Sequence, residues 1–369
     1  MDFEFTDEQL DLQRAVRDVL GQECPPDLVR QVTEGSADGA AFWATLVSLD
    51  WPGLALAPEH GGTGYSWVEL AIVLEELGRV AAPGPFLATV TQFAATGAAV
   101  GSTEDQQRWW VPVVNGAITG ALALDEGAGT WGVGEVAATA TPDGDSLVLA
   151  GTKRFVLDGS TADEIAVVVR LGGEARVVVV RRSDLTVDAY RPIDATAVHA
   201  DLVLDGVRVD QDRLIGDGTA EQGLERAVGE ATAAVAVTTV GACQRIFEMA
   251  VDYAKERQQF DVPIGSFQAV KHKLADMYRD VERARALAFY AALCLAEGDP
   301  SWERAVSMAK AAAGECQQRC VQDGLQLFGG IGYTWENDLH LFLRKAKVGE
   351  LTMGSASQHR QHVARLTLA

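Results

Sequence analysis

Apolar positions change their spacing twice along the chain, dividing it into three segments. Residues 1–118 read as helical. Thr6-Asp7-Glu8-Gln9 is a capping box: its hydroxyl and its amide can each satisfy a free backbone N–H at a helix start. Phe5 and Leu10 stand where a hydrophobic staple would close over it. Leu10, Val16, Val19 and Leu20 then recur at roughly helical spacing. A turn-rich loop, Pro58-Glu59-His60-Gly61-Gly62-Thr63-Gly64, precedes a second amphipathic helix from Trp67 to Val80.

Near Gly120 the pattern becomes that of strands and stays so to about Gly216. Leu147-Val148-Leu149, Ile165-Ala166-Val167-Val168-Val169 and Val177-Val178-Val179-Val180 are short β-branched runs. Asp143-Gly144, Gly172-Gly173 and Asp205-Gly206 mark turns between them. Helical patterns do not alternate with these runs, so an antiparallel barrel or sandwich over 119–217 is expected rather than a doubly wound sheet. From 218 to 369 the chain is helical again. Ala231–Glu256 is rich in Ala and Val, as in a helix packed on several sides. Gly265-Ser266 precedes a long helix through Leu295. Asp299-Pro300 reads as the cap and first turn of a third, which ends at Gly329-Gly330. A last helix spans roughly Leu341 to Leu366. The fold class is therefore α+β: an N-terminal helical domain, a central β domain and a C-terminal four-helix bundle.

Composition narrows the functions open to such a chain. Hydrophobic residues make up 48% of the 369, enough for large cores. The net charge of -21 repels phosphate backbones, so no nucleic-acid partner is expected, although a local basic patch can still hold a small anion. No long uncharged apolar run predicts a membrane span, and the acidic start, Met1-Asp2-Phe3-Glu4, is unlike a signal peptide. Five cysteines without a CxxC pair suit a reducing, cytoplasmic setting. Cys316 and Cys320 lie one helical turn apart, but two thiols alone make a poor metal site. His359 and His362 are read as solvated helix residues, so no metal is expected. Gly127-Ala128-Gly129-Thr130-Trp131-Gly132 matches GxGxxG. The residues after it, Val133 to Thr141, carry no helical stripe, so a dinucleotide fold is not predicted.

Three passages do carry chemistry when taken in order. They are Glu256-Arg257-Gln258-Gln259-Phe260 with Pro263-Ile264-Gly265-Ser266-Phe267-Gln268, then Gln326-Leu327-Phe328-Gly329-Gly330-Ile331-Gly332-Tyr333, and the early Pro58–Gly64 loop with Leu74-Glu75-Glu76-Leu77-Gly78-Arg79. Together they resemble the acyl-CoA dehydrogenase family over essentially the whole chain. The resemblance implies FAD-dependent oxidation of an acyl-CoA thioester to the 2-enoyl-CoA, as in fatty-acid or steroid side-chain β-oxidation. Electrons would pass to an electron-transferring flavoprotein, and the assembly would be a homo- or hetero-tetramer with flavins at subunit interfaces. It assigns Arg257 to the FAD pyrophosphate, Phe260 to the adenine end, and Gln326, Gly329 and Gly330 to the ADP portion. A guanidinium suits phosphate oxygens, and glycine permits close backbone approach. Taken alone, Arg257 is as well read as a helix-end cation, and Gly329-Gly330 as a C-cap turn.

Other family positions are changed. Where a Thr-Glu-Pro element is usual, this chain has Leu124-Asp125-Glu126-Gly127. Where Trp-Ile-Thr is usual, it has Phe155-Val156-Leu157, so Phe155 is left to cover the flavin ring and Leu157 has no hydroxyl. Counting from Arg344 to Gly354 puts the usual catalytic glutamate at Met353, and a thioether cannot take a proton. The alternative base position on an earlier helix falls on Ala231. Its neighbour Glu230 and the carboxylate of Glu350 are the remaining candidates, although one residue rotates a helix position by roughly 100°. Three readings stand open: the base-lacking subunit of a heteromeric dehydrogenase, a homomer with an unconventional base, or a non-catalytic CoA-binding or scaffolding paralogue.

Overall fold

The computed structural model describes residues 4–127, 129, 131–190, 193–216 and 220–368. The chain forms two compact units. One comprises residues 1–37, 67–82 and 232–369; the other comprises 38–66 and 83–231.

The first unit is helical. It contains α1 (Asp7–Glu23), α2 (Pro26–Glu34), α4 (Trp67–Arg79), most of α8 (Ala220–Glu256), α9 (Gln268–Glu297), α10 (Trp302–Phe328), α11 (Leu339–Leu351) and α12 (Ala356–Leu368). The capping box forms as expected. Thr6 Oγ1 accepts from the Gln9 amide at 3.2 Å, and Gln9 Oε1 accepts from the Thr6 amide at 3.1 Å. Phe5, expected to staple onto Leu10, packs edge-on against Phe289 of α9, and Leu10 is 41% exposed. A ring covered by a second helix buries more apolar surface than a local contact can.

α8 is the central rod of this unit, and glycines set its neighbours close. A Cβ added at Gly241 would lie 2.0 Å from the Glu75 carbonyl oxygen, and one at Gly78 would lie 2.1 Å from that of Thr238. The most apolar stretch of α8 is long enough to cross a membrane by length and composition, but 67% of it is buried inside the fold, as befits a core helix. α10 begins at Trp302, after the expected Asp299-Pro300 start. Asp299 Oδ1 instead accepts from the amide and hydroxyl of Ser301, both at 2.7 Å, closing a short turn before the helix. The expected last helix is two helices, α11 and α12, broken at Met353-Gly354, where both residues have positive φ.

The second unit contains α3 (Ala40–Ser48), α5 (Phe86–Ala88), α6 (Ala95–Val100), α7 (Thr103–Val114) and two β-sheets; a π-helical stretch, Thr89–Ala94, joins α5 to α6. The strands are β1 (Gly120–Ala123), β2 (Thr139–Asp143), β3 (Ser146–Ala150), β4 (Thr152–Leu157), β5 (Glu164–Leu171), β6 (Glu174–Arg181), β7 (Thr186–Tyr190), β8 (His199–Val203), β9 (Val207–Asp210) and β10 (Leu214–Ile215). One sheet runs β10-β6-β5-β2-β3-β9 with β1 also on β5; the other runs β4-β8-β7. Val167 and Val178 of the first sheet share one core with Val156 and Leu202 of the second, so the two form a sandwich. The ladders are antiparallel except where β1 and β2 meet β5, which makes the larger sheet mixed. Among the described residues no α-helix directly follows the GxGxxG match. A three-residue 3-10 turn, Val133–Glu135, leads into β2; Ala128 and Thr130 lie outside the described residues.

Candidate active site

The ends of α8 and α10 meet through a ring stack: Tyr253 and Phe328 lie 4.3 Å apart at 11°. Each helix end then delivers part of the expected ligand site. Beyond α8, the Arg257 carbonyl accepts from Ile264 at 2.8 Å, which closes a hairpin of β11 (Gln258–Gln259) and β12 (Val262–Pro263). Its two tip residues, Phe260 and Asp261, have φ of 55° and 65°. Consecutive positive φ angles are what a primed two-residue turn requires, and glycine or asparagine is the usual occupant. Here a phenylalanine is held there, 87% exposed and edge-on to Phe267. Beyond α10, Gly329 adopts φ 61°, ψ -140°, a region essentially reserved for glycine. A Cβ added at Gly329 or Gly330 would meet nothing within 4 Å, so this backbone is open to a ligand. Gln326 is exposed one turn earlier. Arg257 is exposed and makes no ion pair among the described residues. A cation without a counter-ion, an open glycine backbone and a presented aromatic ring fit a diphosphate with an attached base.

Phe155 belongs to the sandwich. The β4–β8 ladder shifts register between Lys153 and Val156, and the bulge puts Phe155 at φ 54°. Asp201 fixes the bulge: Oδ1 accepts from the Phe155 amide and Oδ2 from Arg154, both at 3.1 Å. The ring is 54% exposed and edge-on to Tyr190, which stacks on His199. Burial, with Asp201 nearby, pushes the Tyr190 phenol up to about 12. Leu157 is buried. In the preceding loop, Glu126 is committed to structure. It accepts from Lys153 Nζ at 2.6 Å and from the Ala137 and Ala138 amides at 2.9 Å. Burial works to raise this carboxyl, but those hydrogen bonds outweigh it and hold the group below its usual range.

Met353, where the resemblance puts the usual base, lies at the break between α11 and α12. Met353 sits there at φ 57° beside Gly354 at φ 89°. Two buried side chains of the first unit hold the break by its main chain. Lys310 donates to the carbonyls of Glu350 at 2.9 Å and Gly354 at 2.6 Å. His359 Nε2 lies 2.8 Å from the Met353 carbonyl, and Nδ1 lies 3.3 Å from Ser307 Oγ. A carbonyl only accepts, so Nε2 carries a proton, and burial keeps the ring neutral. Burial moves both groups down, Lys310 to about 7 and His359 to about 3. The expectation that His359 is solvated is thus overturned, since its ring is wholly buried, whereas His362 pairs with Glu303 at 2.8 Å near the surface. Lys310 was legible only as a charge within the apolar run Ala305–Ala313; its carbonyl partners lie across the fold.

Neither candidate carboxylate is poised as a base. Glu230 Oε1 accepts from Arg226 Nε at 2.9 Å, an ion pair along one helix face, with the Glu230 side chain 17% exposed; Ala231 is buried. Glu350 Oε2 accepts from Lys347 at 3.0 Å, and Oε1 faces the Ala356 amide at 3.4 Å.

The acyl-CoA dehydrogenase N-terminal domain family matches residues 6–117, and the acyl-CoA dehydrogenase C-terminal domain family matches residues 223–368. Acyl-CoA dehydrogenase FadE27 of Mycobacterium tuberculosis is 31% identical over 99% of this chain and 98% of its own. In the ChsE4-ChsE5 complex of Mycobacterium tuberculosis, one chain superposes with a TM-score of 0.90 at 30% identity, covering 99% of this chain and 98% of that one. A variant of the Tcur3481-Tcur3483 steroid ACAD gives a TM-score of 0.88 at 28% identity, with 98% of both chains covered. The chain belongs to the acyl-CoA dehydrogenase family.

Proposed function

We propose that this chain is one subunit of a heteromeric FAD-dependent acyl-CoA dehydrogenase, and that a second family member supplies the catalytic base. The observation that carries this reading is Met353. The break at 353 is held by hydrogen bonds to three of its carbonyls, yet the side chain it presents cannot take a proton. Glu230 and Glu350 are both committed to cations. The adenine-side residues, by contrast, retain their chemistry. Arg257 would hold the cofactor's diphosphate, Gln326, Gly329 and Gly330 would line its ADP portion, and Phe260 would pack by the adenine. Phe155 covers the ring. When bound, FAD would supply the acceptor for the hydride of the thioester's β-carbon, and the partner's carboxylate would take the α-proton. Electrons then leave through an electron-transferring flavoprotein. Two of the similar solved structures are each named for a pair of proteins, one of them a steroid ACAD, which supports a paired assembly and a bulky acyl-CoA substrate.

The visible spectrum of the chain, purified alone and after co-expression with a second family member, tests this. A colourless lone chain that becomes yellow and active only in the pair is the expected result. One FAD per lone chain with turnover would overturn the paired reading in favour of a homomer. A colourless chain in every assembly would favour a non-catalytic role.

A further inference from the structure

Away from that site, the helical unit brings three sulphur atoms together. Cys243 of α8 and Cys316 and Cys320 of α10 are fully buried, and their Sγ atoms all lie within 4.8 Å of one another. The sequence places only Cys316 and Cys320 on one helix face; their Sγ atoms are 3.8 Å apart. The fold adds Cys243 because α8 and α10 approach closely here. A Cβ added at Gly324, one turn beyond Cys320, would lie 2.7 Å from Ile246, which is itself nearly one turn beyond Cys243.

This spacing is that of a ligand set. With metal–sulphur bonds of about 2.3 Å, three thiolates around one ion in a plane stand roughly 4 Å apart. A tetrahedral ion needs a fourth donor. Among the described residues no further His, Cys or carboxylate joins the group. Soft thiolates select soft ions, and a three-donor site disfavours zinc, which takes four ligands in structural sites. Cys24 and Cys294 are also buried, but neither belongs to this cluster and each serves as a small apolar side chain.

We infer that Cys243, Cys316 and Cys320 form a three-sulphur binding site for monovalent copper. Binding exchanges thiol protons for the ion and releases them to solvent, with no electron transferred. The site is independent of the acyl-CoA chemistry, since none of the three residues belongs to the machinery described above.

The test uses the full chain, reduced and kept anaerobic, loaded with Cu(I) and challenged with bicinchoninate. Retention of one copper per chain is expected, with X-ray absorption showing three sulphur neighbours and no nitrogen or oxygen. C243S, C316S and C320S should each lose the copper to the competitor, while C24S and C294S keep it. Folding of each variant is checked by circular dichroism; if a serine variant unfolds, the sulphur count on the unaltered chain decides. Complete loss of copper from the folded chain, a count other than three sulphurs, or unchanged retention in all three folded variants would overturn the site.

Discussion

Replacing His359 by glutamine isolates one acid-sensitive contact. The ring is buried, neutral and donates to the Met353 carbonyl, with its pKa lowered from 6.5 to about 3 by burial. Between those values the unfolded chain takes up a proton on this residue and the folded chain does not. Stability from the neutral ring is therefore fully present above 6.5 and is lost as pH falls toward 3. A condition of about pH 5 lies roughly 1.5 units below the ordinary value, and each unit is worth about 1.4 kcal/mol, so the loss there is about 2 kcal/mol. A glutamine amide can still donate to the carbonyl, and it does not titrate. Equilibrium urea unfolding near neutral pH and near pH 5 gives the acid-induced loss for each protein. The loss should be about 2 kcal/mol smaller in H359Q. Equal losses in the two proteins would show that the ring is not held neutral, and the assigned tautomer would fall with it.

The same geometry fixes three further outcomes. Arg257→Ala should lower the flavin content of the active assembly, read from the ratio of visible to ultraviolet absorbance; unchanged content would remove Arg257 from the diphosphate site. Glu230→Gln should leave kcat within about twofold, because its carboxylate is occupied by Arg226; a collapse in turnover would make it the base. Gly241→Ala should destabilise the helical unit by about 3 kcal/mol or more, measured by urea unfolding, because its Cβ would fall 2.0 Å from the Glu75 carbonyl and only backbone movement could relieve it.

Local signals in the sequence survived folding well. The capping box at Thr6 and Gln9, the turn to strands at Gly120 and the glycine stop at Gly329 all depend on neighbours within a few residues. The misreadings have a common cause. The break at Met353-Gly354 is invisible to periodicity because apolar spacing continues through it and no proline marks it. What opens the helix is a pair of carbonyl contacts from Lys310 and one from His359, made by residues distant in sequence or on the following helix. Phe5 packs on Phe289, and Cys243 joins Cys316 and Cys320, through the same kind of contact between residues distant in sequence. The parallel contacts of β1 and β2 with β5 likewise depend on chain path, which alternation of apolar residues does not encode.

The grip on the α11–α12 break has an evolutionary corollary. Lys310 and His359 grip this break by its main chain, at the carbonyls of Glu350, Met353 and Gly354. The residue at 353 is therefore a plug in a standing socket, exchangeable without rebuilding its surroundings. A lineage could lose the carboxylate by a few nucleotide changes and regain it as easily. The pairing of a base-bearing chain with a base-free sister would then be a reversible division of labour between duplicated genes, with the scaffold kept in both.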